Sequence, residues 1–307
     1  MAWDSLTSLV EESTLLYDTL LYMERYFRFL TLPSDVPKGN QPLLTNNIQE
    51  FTIGFKGVDF KYPHADRNVL KKFNLTIKKG DRLALLGENG AGKTTLIKLL
   101  TRFYIPDKGK IMLNGQDIQK IQIEDYRKLL TVVFQDPAHY PLTLAENIRL
   151  SKLDKENSSF WLKQAVQFAG LTEIVKHSDK GLDQILTNDF EGWRDLSGGQ
   201  WQAISLARAY YRNSGLMVFD EPSASLDATH EDHFIQSMSH MSQDQTLLLV
   251  THRFSALKLV DRAVYLEGCQ VKEDGCLKDL IKDKKHVFHR SSNFKLTNIK
   301  LTKFFLT

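Results

Sequence analysis

Lys93, Thr94 and Thr95 follow directly on a glycine-rich run of Gly87, Glu88, Asn89, Gly90, Ala91 and Gly92. Gly87, four residues, Gly92, Lys93 and Thr94 satisfy the phosphate-loop pattern. Its glycines let the backbone turn N–H groups inward, and the helix that follows adds its N-terminal dipole, so main chain holds phosphate oxygens. A lysine at this point reaches the β- and γ-phosphates, and the threonine hydroxyl suits Mg2+. By itself the loop points to a nucleoside triphosphate and does not separate a kinase, a GTPase or a motor. Four further polar positions, Gln135, Asp220, Glu221 and His252, each follow a short apolar run. Asp220 suits a Mg2+ site shared with Thr94 and phosphate oxygens. Glu221 suits polarisation of an attacking water, His252 a contact to the γ-phosphate and water, and Gln135 a Mg2+ or γ-phosphate contact.

These side chains can cooperate only if the apolar runs are strands of one sheet. The run LALLG before the loop reads as a strand, and Leu96–Leu100 continue as an apolar-periodic helix with Thr95 at its start. LMVF at 216–219 and LLLV at 247–250 read as buried strands, closed by Asp220-Glu221 and Thr251-His252, and VVF at 132–134 as a strand ending at Gln135. In a parallel α/β sheet, ligands lie beyond the carboxyl ends of the strands, so all of these polar groups are expected at one mouth. Ahead of the loop the period is two. Phe51, Ile53 and Phe55 alternate, Gly57 suggests a bulge, Val58 and Phe60 resume, and Phe73, Leu75 and Ile77 alternate again, which gives a small antiparallel sheet. Tyr62 then falls near the nucleotide, where an aromatic face can stack on a base. IML at 111–113 before Asn114-Gly115 reads as strand and turn. Residues 136–195 read as mainly helical, clearest over 160–169 with Ser158 or Ser159 as N-cap. LSGGQ at 196–200 opens another helix that runs to about 212, a second helix N-terminus open to an anion.

The chain has 307 residues, 42% of them hydrophobic, enough for one large or two ordinary domains. A net charge of +3 gives no general argument for nucleic acid. Two cysteines, Cys269 and Cys276, suggest neither a disulfide framework nor a zinc site. The acidic residues Asp4, Glu11, Glu12 and Asp18 do not fit a secretory signal peptide. Residues 4–32 nevertheless repeat apolar residues at three- and four-residue steps, with more on other faces. A helix of this kind, interrupted by Asp18, Glu24, Arg25 and Arg28, wants partners on two sides. Residues 33–50 carry Pro33, Pro37, Gly39 and Pro42 and read as a linker, and 283–307 as a basic, disordered tail.

GENGAGKT at 87–94, Gln135 in VFQDP, LSGGQ at 196–200, LMVFDEP at 216–222, SLD at 225–227 and VTHR at 250–253 together resemble the ordered motifs of the ATP-binding cassette ATPases. The resemblance covers residues 51–282. It implies a P-loop NTPase core with a mixed, mainly parallel sheet, an antiparallel β-subdomain and a helical subdomain. It further implies ATP and Mg2+ as cofactors. The loop residues 87–95 and Gln135 would bind nucleotide with Tyr62 stacked on adenine, Asp220, Thr94 and Gln135 would serve Mg2+, and Glu221, His252 and Lys93 would act in hydrolysis. Ser197, Gly198, Gly199, Gln200 and Asp227 would close on ATP held by a second cassette, homo- or heteromeric, in a head-to-tail dimer. MAWDSLTSLVEESTLLYDTLLYMERYFRFLTLP and the approach GWRDLSGGQ resemble exporter-type members. Residues 1–32 would then be the cytoplasmic extension of a last transmembrane helix. The implied protein is the C-terminal part of a half-transporter at the cytoplasmic face of the cell membrane, partnered by a transmembrane domain and not by nucleic acid. Alternatives are a soluble cassette ATPase of DNA repair or translation, or a truncated remnant that binds ATP without transport. Where such proteins usually carry an arginine after the signature, this chain has Ala203.

Overall fold

The computed structural model describes residues 2–32, 36–43, 50–153, 159–186, 196–222, 228–239, 241 and 245–282. They belong to two compact units, 1–37 and 38–307.

The first unit is one helix, α1 (Ala2–Leu30), 29 residues long and so roughly 44 Å at 1.5 Å per residue. Its large apolar side chains are exposed, Trp3 at 76% and Tyr22 at 71% among them, because a lone helix cannot bury its own flanks. Its hydroxyls turn inward: Thr7, Ser8, Thr14 and Thr19 each donate to a carbonyl one turn earlier at 2.8–2.9 Å. These four hydroxyls are therefore satisfied within the helix itself. Among the described residues no helix is long and apolar enough to cross a membrane.

The second unit runs β1 (Thr52–Phe60), β2 (Leu70–Lys78), β3 (Arg82–Gly87), α2 (Lys93–Leu100), β4 (Lys108–Leu113), β5 (Gln116–Asp117), α3 (Ile123–Lys128) and β6 (Leu130–Val133). It continues through α4 (Leu144–Arg149), α5 (Ser159–Phe168), α6 (Thr172–Lys176), α7 (Gly198–Arg212), β7 (Leu216–Asp220), α8 (Ala228–Ser239), β8 (Thr246–Val250), β9 (Arg262–Glu267), β10 (Gln270–Cys276) and α9 (Leu277–Lys282). The antiparallel sheet has the order β2-β1-β4-β5, and its register slips between Phe55 and Val58, at the bulge that Gly57 announces. The main sheet has the order β10-β9-β3-β8-β7-β6, parallel throughout except for the terminal β10.

Strands buried on both faces explain the unbroken apolar runs. Leu83, Leu85, Val218, Leu248 and Val264 join a core shared with the antiparallel sheet and α2. Ala84, Leu86, Phe219, Leu249 and Tyr265 join a second core with α4, α5 and α7. Alternation of side chains thus makes one sheet the wall between two cores.

Several sequence expectations shift. The helix of the phosphate loop starts at Lys93 with Gly92 as its N-cap, two residues before Thr95. The strand before Gln135 is Leu130–Val133, since pairing with β7 sets its bounds. Within the expected linker, the amides of Asn40 and Gln41 donate to the Lys120 carbonyl, and Gln122 and Ile123 donate back to Gln41 and Lys38, which anchors residues 38–41 to the second unit. Strand β9, without a polar motif to mark it, lies beside β3. Ser158 and the tail 283–307 lie outside the described residues.

Candidate active site

Parallel register gathers the strand ends. Leu85 of β3 is level with Val250 of β8, which is level with Asp220 of β7, while Val133 of β6 is level with Phe219. Gly87, Gln135, Glu221 and His252 therefore leave the sheet at one edge, as the closing polar residues predict. Gln135 is exposed there, two residues past the end of β6.

The phosphate loop needs its glycines for steric reasons. At Gly87 (φ +149°) a Cβ would sit 2.4 Å from the Leu266 carbonyl oxygen, and at Gly92 (φ +99°) 2.9 Å from both Leu70 Cδ2 and the Val69 oxygen. The loop wraps the Lys93 ammonium, whose Nζ donates to the carbonyls of Gly87 at 2.8 Å and Glu88 at 2.9 Å. Lys93 is only 6% exposed, and burial lowers its pKa against the pull of Glu221 and Asp220. Glu88, Asn89, Gly90 and Thr94 are exposed, with Ala91 half-buried and Thr95 buried.

Asp220 is 3% exposed at the end of β7, and burial pushes its carboxyl above the usual value while a hydrogen bond from Thr94 opposes the shift. Glu221, the next residue, has φ +50°, with its amide donating to the Val250 carbonyl at 2.9 Å. Strand alternation would send consecutive carboxylates to opposite faces. The left-handed backbone breaks that alternation, and both carboxylates act on Lys93. Such a conformation in a non-glycine residue is strained and is common at functional sites. Glu221 Oε1 lies 3.2 Å from His252 Nε2. Burial and the Lys93 charge hold His252 below the ordinary histidine value, against Glu221, so the imidazole is neutral at pH 7.

The loop carrying His252 is braced from α8. The Glu231 carboxylate accepts from the Arg253 guanidinium and the Ser255 hydroxyl, and the Arg253 amide donates to Thr251 Oγ1 at 3.0 Å. The Tyr62 hydroxyl is 3.0 Å from Thr95 Oγ1. Ser197 caps α7 in a capping box with Gln200, whose side chain accepts from the Ser197 amide at 3.0 Å. Gly198 and Gly199 lie within the first turn of α7, not before it, and Ser197 and Gly198 are exposed. Asp227, with the rest of 225–227, and the approach 192–195 lie outside the described residues.

Sequence reasoning missed the backbone of Glu221, the brace from Glu231, and Lys98, whose Nζ lies over the Tyr62 ring at 5.4 Å. Of these only Lys98 had a signal, its place one helical turn after Thr94.

A phosphate loop at the carboxyl edge of a parallel sheet, with an acidic pair and a histidine beside it, defines a P-loop nucleotide-binding cassette of α/β class. Residues 70–224 match the family described as ABC transporter, and the chain belongs to it. It is 34% identical over 267 residues to the subtilin transport ATP-binding protein SpaT of Bacillus subtilis, across 87% of this chain and 43% of that protein. It is 31% identical over 264 residues to the mitochondrial iron-sulfur clusters transporter ATM1 of Saccharomyces cerevisiae, across 85% of this chain and 37% of that protein. Among solved structures, a bacterial Atm1-family ABC exporter with ATP bound superimposes with a TM-score of 0.76 at 28% identity, covering 87% of this chain and 46% of that one. The chain spans less than half the length of these relatives.

Proposed function

We propose that this chain is the ATPase part of an ABC exporter, binding MgATP at residues 87–95 and hydrolysing it to drive transport through a transmembrane domain. The observation that carries this reading is the convergence of Glu221, His252 and Asp220 on the phosphate-loop lysine. The relatives' names, all of transporters or transport ATP-binding proteins, favour it over a role in DNA repair or translation.

The loop amides and Lys93 bind the phosphates, and Tyr62 stacks on the base. The oxygen donors Thr94, Asp220 and Gln135 fit a hard divalent cation, and the buried Asp220 carboxylate is the charge such an ion would neutralise. A bound Mg2+ supplies charge neutralisation across the phosphate oxygens. Glu221 orients the attacking water and accepts its proton, and the neutral His252 imidazole, beside Glu221, can donate one hydrogen bond toward the γ-phosphate and accept another. Ser197, Gly198, Gly199 and Gln200, with Asp227, face ATP on a second cassette, so the working unit is a head-to-tail dimer at the cytoplasmic face of a membrane. The exposed α1 is the surface that meets further membrane-domain helices.

Hydrolysis measured against protein concentration tests the dimer: specific activity rises with concentration and then saturates. ATP binding without turnover at any concentration would overturn the dimeric-ATPase reading. Glu221→Gln is expected to lower kcat by about 10²–10⁴-fold and to accumulate an ATP-bound dimer by size exclusion.

A further inference from the structure

Tyr62 lies just past the end of β1, on the loop between β1 and β2, where an aromatic side chain ordinarily samples several rotamers. Here it is held by two rings, a lysine and a hydrogen bond. Phe60 packs at 5.1 Å and 79°, Tyr104 at 5.2 Å and 89°, and these two meet one another at 5.5 Å, a closed trio of edge-to-face rings. Lys98 of α2 lies over the ring. The phenolic hydroxyl reaches Thr95 Oγ1 at 3.0 Å, and Thr95 is 4% exposed in the first turn of α2, directly after the glycine-rich loop. Tyr62 itself stays half-exposed, so the platform remains accessible.

We propose that Thr95 is a positioning residue for base recognition: its hydroxyl, through Tyr62, ties the stacking platform to the phosphate cradle at a set height and tilt. The inference rests on the reading of residues 87–95 as the triphosphate site and Tyr62 as the base platform. Stacking energy depends on ring offset, and a ring locked before the ligand arrives loses no rotamer freedom on binding. Lys98 is the second restraint, since its position over one ring face opposes rotation of the ring toward α2. The ligand class is a nucleoside triphosphate whose base and phosphates must be held at one fixed separation.

The test compares MgATP with inorganic tripolyphosphate, which has the phosphates and no base, by calorimetry on the full chain. The ratio of the dissociation constant of tripolyphosphate to that of MgATP isolates the contribution of the nucleoside. Thr95→Val and Tyr62→Phe each remove the hydrogen bond and keep the bulk, and each is expected to reduce that ratio about fivefold. The double variant should fall no further than either single one, and Thr95→Ser should restore the ratio. If Thr95→Val weakens both probes equally, Thr95 serves phosphate alone and the inference fails. Additive losses in the double variant would also overturn it, and Tyr62→Phe keeps the test decisive if Thr95→Val does not fold. Tyr62→Ala separates the underlying reading. A ratio lost in Tyr62→Ala and intact in Thr95→Val sinks only the positioning role, whereas a ratio intact in Tyr62→Ala sinks base stacking itself.

Discussion

Asp220 and Glu221 are chain neighbours whose costs differ in kind, burial of a carboxyl at the first and a left-handed backbone at the second. Asp220 is buried, and its pKa is raised, so the folded state binds its proton more tightly than the unfolded chain does. Stability contributed there is present at low pH and is lost as pH rises through the folded value, which makes ionisation of Asp220 a cost to the nucleotide-free fold. Asp220→Asn is therefore expected to raise the unfolding temperature of the nucleotide-free protein while abolishing Mg2+-dependent ATP binding; scanning calorimetry with and without MgATP checks both, and a lower unfolding temperature would refute the first. His252 has the other sign. Its pKa is lowered, so the unfolded chain protonates first, and stability is lost as pH falls below about 6.5 toward the folded value. Replacing His252 with Asn should flatten stability against pH in that window. At Glu221 the strain resides in the backbone, and Glu221→Gly should unfold at a higher temperature than Glu221→Ala, by about 1 kcal/mol in stability, because only glycine relieves the left-handed conformation.

Helix α7 is the element through which the helical subdomain is fixed to the rest of the cassette. The Arg208 guanidinium donates to the Asn147 carbonyl at 3.0 Å, to Asn147 Oδ1 at 2.6 Å and to the Ala138 carbonyl at 2.7 Å. One turn on, Arg212 donates to the carbonyls of Leu130, Ser151 and Arg127. Both arginines thus tie α7 to carbonyls of α3, α4 and β6 and to the loops at Ala138 and Ser151. Arg208→Ala leaves those acceptors unpaired and is expected to cost about 2–3 kcal/mol, with faster amide exchange in α4. Exchange unchanged in α4 would contradict the tether. None of this was visible in the motif LSGGQ, which reports the start of α7 and its capping box but nothing of what its later turns hold.

For the whole chain, the contrast is between a second unit with two cores of its own and a helix whose apolar flanks are exposed. Both cores draw their residues from position 43 onward. A chain beginning at Lys38 is expected to unfold at the temperature of the full chain and to bind MgATP as tightly, but to aggregate less, since the exposed Trp3, Leu15 and Tyr22 are gone. Light scattering and calorimetry on the two forms decide it, and a large fall in unfolding temperature would show that the second unit depends on α1.

Much of this architecture was legible because its signals are local. Apolar runs such as LMVF and LLLV read as strands buried on both sides, Gly87 and Gly92 stand where a Cβ has no room, and a polar residue closing each run marks the edge of a parallel sheet. The phosphate loop, the Gly57 bulge and the reach of α7 followed from spacing alone. What spacing could not supply is anything settled between distant segments: β9 beside β3, the Glu231 brace on the loop of His252, the lock on Tyr62, and the turn of Glu221 toward Lys93. Each of these is decided by packing and hydrogen bonds between residues far apart in the chain. Periodicity describes how a segment faces its own neighbours, and only the assembled cores determine which other segment it will meet.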